Sequence, residues 1–298
     1  MILCYAGKDF APTFSYGCMP KLRYVSKVGA AYKHPRIMHG HDDILEIYFV
    51  HSGTGTYVVN SVQYPIQQGD IVICNSKVLH DEVPECNHDL HTYCCGIANL
   101  QLDGLKKNCL IPDNIRPVIS CSDQQQSISS IMDMLHCRLS SGRKDEEECC
   151  HYLMLSLLMI LLNSIKLNQV YVDKTQKDDN VLRGELIKAY LDAHYDEELS
   201  LSSISRVFNL NPYYLIRIFK KVVGHSPMQY ITRRRIGEAQ TLLVSTDYPV
   251  VEIASMVGYN NISHFNMMFF KYIGISPSKY RNTYTMIKKK GGCCRTKK

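Results

Sequence analysis

No pair of cysteines in this chain is spaced as CxxC, and the thirteen cysteines are an odd number scattered without a repeating interval. A zinc ribbon and a disulfide framework are therefore not expected. The vicinal pairs Cys94–Cys95 and Cys149–Cys150, and a third at Cys293–Cys294, are poorly placed for ordinary disulfides, so the thiols read as reduced. The first residues lack a basic stretch followed by a long apolar run, which argues against a secretory signal. The most apolar segment, residues 153–162, is interrupted by Ser156 and is about half the ~20 residues a bilayer-spanning helix needs. These absences lead us to expect a cytoplasmic protein with no membrane partner.

What is present is unevenly distributed. Residues 1–180 hold 16 Lys and Arg against 20 Asp and Glu, a net of −4, whereas residues 181–298 hold 18 against 8, a net of +10. At 298 residues there is room for two domains, so a basic module for a polyanion is joined to a near-neutral one. Within 44–73, short β-branched and aromatic runs (44–50, 55–59, 70–74) are separated by turn signals at Ser52–Gly53, Asn60–Ser61 and Gly69–Asp70. Weaker strand signals lie at 25–28, 93–97 and 116–119. Closely spaced strands of this kind predict an antiparallel barrel or sandwich.

Two helices are expected next. One is capped at Ser122–Asp123 and runs to about 140; the other spans 145–166 and opens on acidic residues that suit a helix N-terminus. The polar stretch 168–180 reads as a linker, and 286–298 as a basic, disordered tail with no role beyond nonspecific attraction to a polyanion.

Between them the chain repeats itself at an offset of fifty. GHSPMQY at 224–230 answers GISPSKY at 274–280, Phe219 answers Phe269, and Leu215 answers Phe265. Each copy reads as a short helix, a turn, a second helix and a glycine stop. In the first copy the helix is 201–208, Asn209 takes a left-handed turn, and Asn211 caps a helix that has Pro212 at its first position. In the second the helix is 250–257, Gly258 turns, and Asn260 or Asn261 caps a helix to about Tyr272. A long helix from Ser226–Pro227 through Arg233, Arg234 and Arg235 joins the copies. The arginine run reads as solvated or touching phosphate rather than reading bases.

A helix entering the major groove needs apolar anchors behind and polar or basic groups in front. Leu215, Ile218 and Phe219 are the anchors of the first such helix, leaving Tyr213, Ile216, Arg217, Lys220 and Lys221 for DNA. Phe265 and Phe269 anchor the second, where Asn261, Ile262, Ser263, Asn266 and Met267 face outward.

Over 181–285 the chain resembles the AraC-type DNA-binding domain, through Phe219-Lys220-Lys221, Ile253-Ala254, Val257-Gly258-Tyr259 and the GISPSKYR stretch at 274–281. The resemblance puts Tyr213, Ile216 and Arg217 at base-reading positions. It also exposes two departures: Met267 stands where arginine is common, and Phe270 where lysine is usual. The second unit is therefore expected to read DNA by apolar contact and shape.

In the N-terminal half, His39, His41, Glu46 and Gly53, followed by Gly69, Asp70 and His80, resemble in order and spacing the two motifs of cupin barrels. Regulators of the AraC type commonly carry such a barrel. The resemblance implies either an effector pocket lined by His39, His41, Glu46 and His80, or a divalent metal held by those four. Strand alternation adds Tyr48, which shares a face with Glu46. The second motif is degraded, with Asn75 in place of the usual proline.

The expected architecture is thus two domains. An all-β cupin-like barrel followed by two helices (1–167) would bind effector and dimerise; after the linker 168–180 comes an all-α domain with two helix-turn-helix units (181–285). The expected function is a sequence-specific transcription regulator, not an enzyme, with no cofactor beyond the alternative metal. Its expected partners are double-stranded DNA, a sugar or related small molecule, a second copy of itself and, for an activator, RNA polymerase. The other reading of the barrel is a ligand-free interaction module.

Overall fold

A computed structural model describes residues 13–14, 19–29, 36–83, 88–167 and 179–289. The N-terminal half is an antiparallel sheet of β1 (Lys21–Val28), β2 (Leu45–Val59), β3 (Val62–Gln67), β4 (Asp70–Cys74), β5 (His80–Glu82), β6 (His88–Ala98) and β7 (Val118–Ser120). Its order is β1-β6-β2-β4-β7, with β3 and β5 also pairing to β2. Strand β2 organises the whole. Its first part lies between β4 and β6, and its second part pairs with β3 and β5.

The turn expected at Ser52–Gly53 is instead a corner inside one strand. The β2–β6 register slips between Val50 and Thr54, and Gly53 takes φ 86°, so the chain bends without leaving the sheet. The other two turns form as read: Asn60 and Ser61 take φ 50° and 68°, and Gly69 takes φ 87°.

The alternation of β2 sorts its side chains between two cores. Leu45, Ile47 and Phe49 face α1 (Gln125–Ser141) and α2 (Glu147–Leu167), joining Met132, Leu135, Met154, Leu157, Leu158 and Leu161. Tyr48 and Val50 point to the opposite, inner side with Tyr57, Val59, Val72 and Cys74. Helix α2 is long and apolar enough by composition to cross a membrane, yet one face of it is buried against the sheet, which accounts for that composition. No side-chain cap forms at Ser122; a 3-10 turn over Ser122–Gln124 leads into α1. Cys74, Cys94, Cys95, Cys109, Cys121, Cys137, Cys149 and Cys150 are free thiols.

The C-terminal half is helical: α3 (Asp179–Ala193), α4 (Leu201–Val207), α5 (Pro212–Val223), α6 (Pro227–Ser245), α7 (Val250–Met256), α8 (Ile262–Ile273) and α9 (Pro277–Lys289). The last helix therefore extends four residues beyond the expected boundary at 285. Residues 168–178 of the expected linker and 290–298 of the expected tail lie outside the described residues.

The fifty-residue repeat becomes two matching local solutions. Helices α5 and α8 each end on a glycine at φ 83°, Gly224 and Gly274. The next helix is capped by Ser226 in one case, and Ser276 plays the same part in the other, accepting from the Lys279 amide. Phe219 packs edge-on to Tyr230 at 5.4 Å, and Phe269 meets Tyr280 the same way at 5.6 Å. One helix, α6, belongs to both cores: Tyr230 and Ile231 serve the first, Ile236, Ala239 and Leu243 the second.

Candidate functional site

Helix α5 is fixed by its own sequence. The Asn211 side chain accepts the Tyr213 amide at 2.9 Å, and Pro212 sets the first helical φ. Leu215, Ile218, Phe219 and Val223 are buried. That orientation leaves Tyr213, which is 84% exposed, and Arg217, Lys220 and Lys221 on the outer face, with Ile216 half-buried beside them. The Arg217 guanidinium lies 5.2 Å from the Tyr214 ring centre, so its head is steadied from below.

In α8 the cap is Asn261, whose side chain accepts the His264 amide at 3.0 Å. Its carbonyl oxygen is therefore engaged in holding the helix. Phe265 and Phe269 are buried, while Ile262, Ser263, Asn266, Met267 and Phe270 are exposed. Helix α5 carries three basic residues and α8 one, Lys271, with no acid on either. Both outer faces thus suit a polyanion, the first by charge and the second mainly by apolar surface.

The arginine run is a correction. Arg233 pairs with Asp81 of the sheet at 2.6 Å, and Arg234 pairs with Glu238 while lying over the Tyr195 ring. Arg235 donates to the backbone oxygens of Tyr195, Glu197 and Gly258. All three bind the protein to itself rather than facing solvent or phosphate.

On the inner side of the sheet the predicted pocket residues do converge. His39 comes from the segment before β2, His41 follows it, Glu46 sits at the start of β2, and His80 opens β5. One ligand-type atom from each lies within 4.8 Å of all the others. His80 Nε2 meets Glu46 Oε2 at 2.6 Å and His39 Nε2 at 3.1 Å; His39 and His41 stand 3.7 and 3.8 Å from the carboxylate. The backbone fixes two of the rings, since His39 Nδ1 faces the Ile37 carbonyl at 3.1 Å and His80 Nδ1 the Val78 carbonyl at 3.0 Å. With both Nδ1–H groups committed, the two Nε2 atoms point at the same place.

Burial works to raise the Glu46 carboxyl, but the charge of His80 and hydrogen bonds from all three histidines hold it well below the usual carboxylate range. Burial, aided by the nearby charges of Arg36 and His80, keeps His39 neutral far below the ordinary histidine value. Burial opposes charge on His80 as well, yet Cys74 and Glu46 raise it well above that value.

One contributor, Tyr24, escapes the sequence reading, and a second, Tyr57, is one whose register strand alternation does not fix. Tyr24 of β1 donates its hydroxyl to Glu46 at 2.5 Å; burial and the Glu46 charge keep the phenol protonated. Its ring fits because position 96 of the adjacent strand is glycine: a Cβ there would lie 2.5 Å from the ring. Tyr57 stacks at 6.2 Å on His80 and lies 4.6 Å from Tyr48, which is buried on the Glu46 face as expected. The four polar residues pack against one another rather than lining a wide space. A larger groove lies elsewhere, between the sheet edge and α3, bordered by Lys21, Arg23, Asn60, Tyr64 and Glu185.

Two outward-facing helices, each backed by its own helix-turn-helix core and joined by one helix, together with a sheet domain holding an inward polar cluster, define a DNA-binding regulator with a ligand-binding half. Comparison with known proteins agrees. A helix-turn-helix domain model matches residues 204–283, and a model of the AraC-like ligand binding domain matches residues 25–157. The chain is 28% identical over 251 residues to the HTH-type regulator YdiP of Escherichia coli K12, covering 83% of this chain and 81% of that one. It is 23% identical to the lactose operon transcription activator of Staphylococcus xylosus, covering 80% and 84%. Among solved structures, the C-terminal domain of AraT, a response regulator from Geobacillus stearothermophilus, is 34% identical over 37% of this chain and 88% of that one, with a TM-score of 0.34. The chain belongs to the AraC/XylS family of transcription regulators. It is a DNA-binding transcription regulator with a ligand-binding N-terminal domain.

Proposed function

We propose that the sheet domain senses a small polar metabolite, a sugar or a close relative, through His39, His41, Glu46, Tyr48 and His80, and that the sensed molecule sets the affinity of α5 and α8 for an operator. The observation that carries this reading is the convergence of three imidazoles and a carboxylate, within 4.8 Å of one another, on the inner side of the sheet. A polyol entering there would exchange the Tyr24–Glu46 and His80–Glu46 hydrogen bonds for its own hydroxyls. The similarity to a regulator named for a lactose operon supports the sugar class.

The same atoms favour a second reading, a divalent metal. Three nitrogen donors and one oxygen donor with two rings anchored through Nδ1 suit Zn, Fe, Mn or Ni, and His39, His41, Glu46 and His80 would be the ligands. In either case the chain would act as a dimer. The half-buried residues Leu155, Met159 and Ile160 and the exposed Tyr152 leave part of α2 for a second copy. An activating member would also contact RNA polymerase.

The test is thermal unfolding of the full-length protein with a panel of sugars and sugar acids, and separately with ZnCl2, NiCl2 and EDTA. A ligand of the folded state raises the melting temperature by mass action. A sugar-specific rise lost in His80→Ala supports the first reading; a metal-specific rise reversed by EDTA and lost in the same variant supports the second. A sheet domain that responds to neither is an interaction module, and the sensor reading is then wrong.

A further inference from the structure

The histidine cluster and the DNA-binding half are held by the same two short stretches of chain. Residues 36–39 run antiparallel to β5, with His39 and His80 exchanging both backbone hydrogen bonds, at 3.0 and 2.9 Å. On one side of this ladder, His39 and His80 point into the cluster. Their sequence neighbours point the other way. Met38 is buried among Ile187, Leu215, Phe219 and Tyr230 of the first helix-turn-helix core, and Ile37 among Ile236, Phe265 and Tyr280 of the second.

Polar contacts run along the same line. The Ile37 amide donates to Gln240 at 3.1 Å, Arg36 reaches Thr241 at 3.2 Å, and Arg233 donates to the buried Asp81 at 2.6 Å. The approach is backbone to backbone: a Cβ at Gly237 of α6 would lie 1.9 Å from the Met38 carbonyl oxygen and 2.7 Å from that of Ile37. A helix position closed to any side chain marks a close, specific docking, since glycine is otherwise unfavourable inside a helix.

We infer that residues 36–39 and β5 form a latch through which the state of the histidine cluster governs DNA binding. The inference rests on the cluster being the sensory site. The latched state is the DNA-binding one. Ile37 and Met38 complete both cores in it, while the outer faces of α5 and α8 stay open. Shifting His39 or His80 within the cluster moves the strands that carry Ile37, Met38 and Asp81, so one event reaches both units and the α6 helix that spaces them. Coupling of this kind is reciprocal, so undocking α6 must in turn disturb the cluster.

The experiment uses full-length protein and a DNA site selected by the wild type from a random pool. Affinity is read by fluorescence anisotropy, and docking by amide hydrogen exchange in α6 and residues 36–41. Glu46→Gln alters the cluster without touching α6. It is expected to weaken DNA binding by about 5- to 150-fold, the usual range of allosteric coupling, and to speed exchange along α6. Gly237→Ala is expected to do the same from the other side and to speed exchange at 36–41. The double variant should lose no more than the worse single one, because an open latch cannot be opened twice. Asp81→Asn, which keeps shape and removes the ion pair with Arg233, replaces Gly237→Ala should the latter fail to fold. Wild-type affinity and α6 exchange in Glu46→Gln, or full additivity in the double variant, would overturn the latch. These arms need no effector. A sheet domain that binds neither sugar nor metal would therefore defeat the sensor reading while leaving this test decisive, and a retained ligand shift with no effect on DNA would defeat the latch alone.

Discussion

Arg217 and Phe219 lie two residues apart on α5 and should fail in opposite ways. Arg217 faces out, its guanidinium lying over the Tyr214 ring at 5.2 Å. An exposed cation–π contact is worth about 0.5–1 kcal/mol, so Arg217→Ala should scarcely move the unfolding midpoint. Losing a side chain that reads a base costs about 1–3 kcal/mol of binding, or roughly 5- to 150-fold in Kd. Phe219 is fully buried against Tyr230. Removing its ring leaves a cavity worth about 3–5 kcal/mol, a large share of the ~5–15 kcal/mol that holds a typical domain folded. Phe219→Ala should therefore lose DNA binding through unfolding and regain some of it when the domain is stabilised by osmolyte. Urea unfolding and anisotropy on the selected site, with a scrambled duplex as control, separate the two. Unchanged affinity of Arg217→Ala for the selected site would refute the placement of this helix in the groove; so would a Phe219→Ala protein that loses binding with its stability intact.

Three further outcomes follow from the same geometry. Met267 is 59% exposed on a helix with a single basic residue, so Met267→Arg should tighten binding to all duplexes and steepen the salt dependence by about one ion; no change in that slope would mean α8 does not approach the backbone. Gly96→Ala should drive the Tyr24 ring off Glu46 and cost about 1–3 kcal/mol of overpacking, seen as a lower urea midpoint; a wild-type midpoint would show that the ring is not held there. Burial holds His225 below the ordinary histidine value, with Arg233 and Lys220 adding like charge, so the folded state resists a proton that the unfolded chain accepts. Its contribution is present above about pH 6.5 and is lost as pH falls through the folded value. The urea midpoint should then drop between pH 7.5 and 5.5 by less in His225→Gln than in the wild type, and equal drops would contradict the assignment.

The parts of this molecule that were legible in its sequence are those fixed by local chemistry. Asn209 at φ 49°, Gly258 at φ 84° and the caps at Asn211 and Asn261 are each dictated by what one residue type can do at one backbone position. Repetition at a fixed offset then made two weak motifs into one strong one. The histidine cluster was legible only through the order and spacing it shares with the cupin motifs, since β5 pairs with the far end of β2, His80 opposite Val59, and no local pattern brings His80 back to Glu46 at the near end. Tyr24 was not, since its place depends on a missing side chain at Gly96, seventy-two residues away in sequence and adjacent only in the sheet.

The arginine run shows the deeper reason. A basic triplet on an amphipathic helix carries the same pattern whether it meets phosphate, water or protein, and the composition of a DNA-binding domain tilts the reading toward phosphate. What decides otherwise is Asp81, buried on the far domain, and three backbone oxygens that Arg235 reaches around the helix-turn-helix turns. A buried ion pair between domains is costly to desolvate and adds little net stability, but breaking it by removing one partner leaves an unpaired buried charge. The Arg233–Asp81 pair is therefore better suited to making the docked arrangement all-or-none than to strengthening it. A contact of that kind has value chiefly when the two halves of a protein must either be joined or apart.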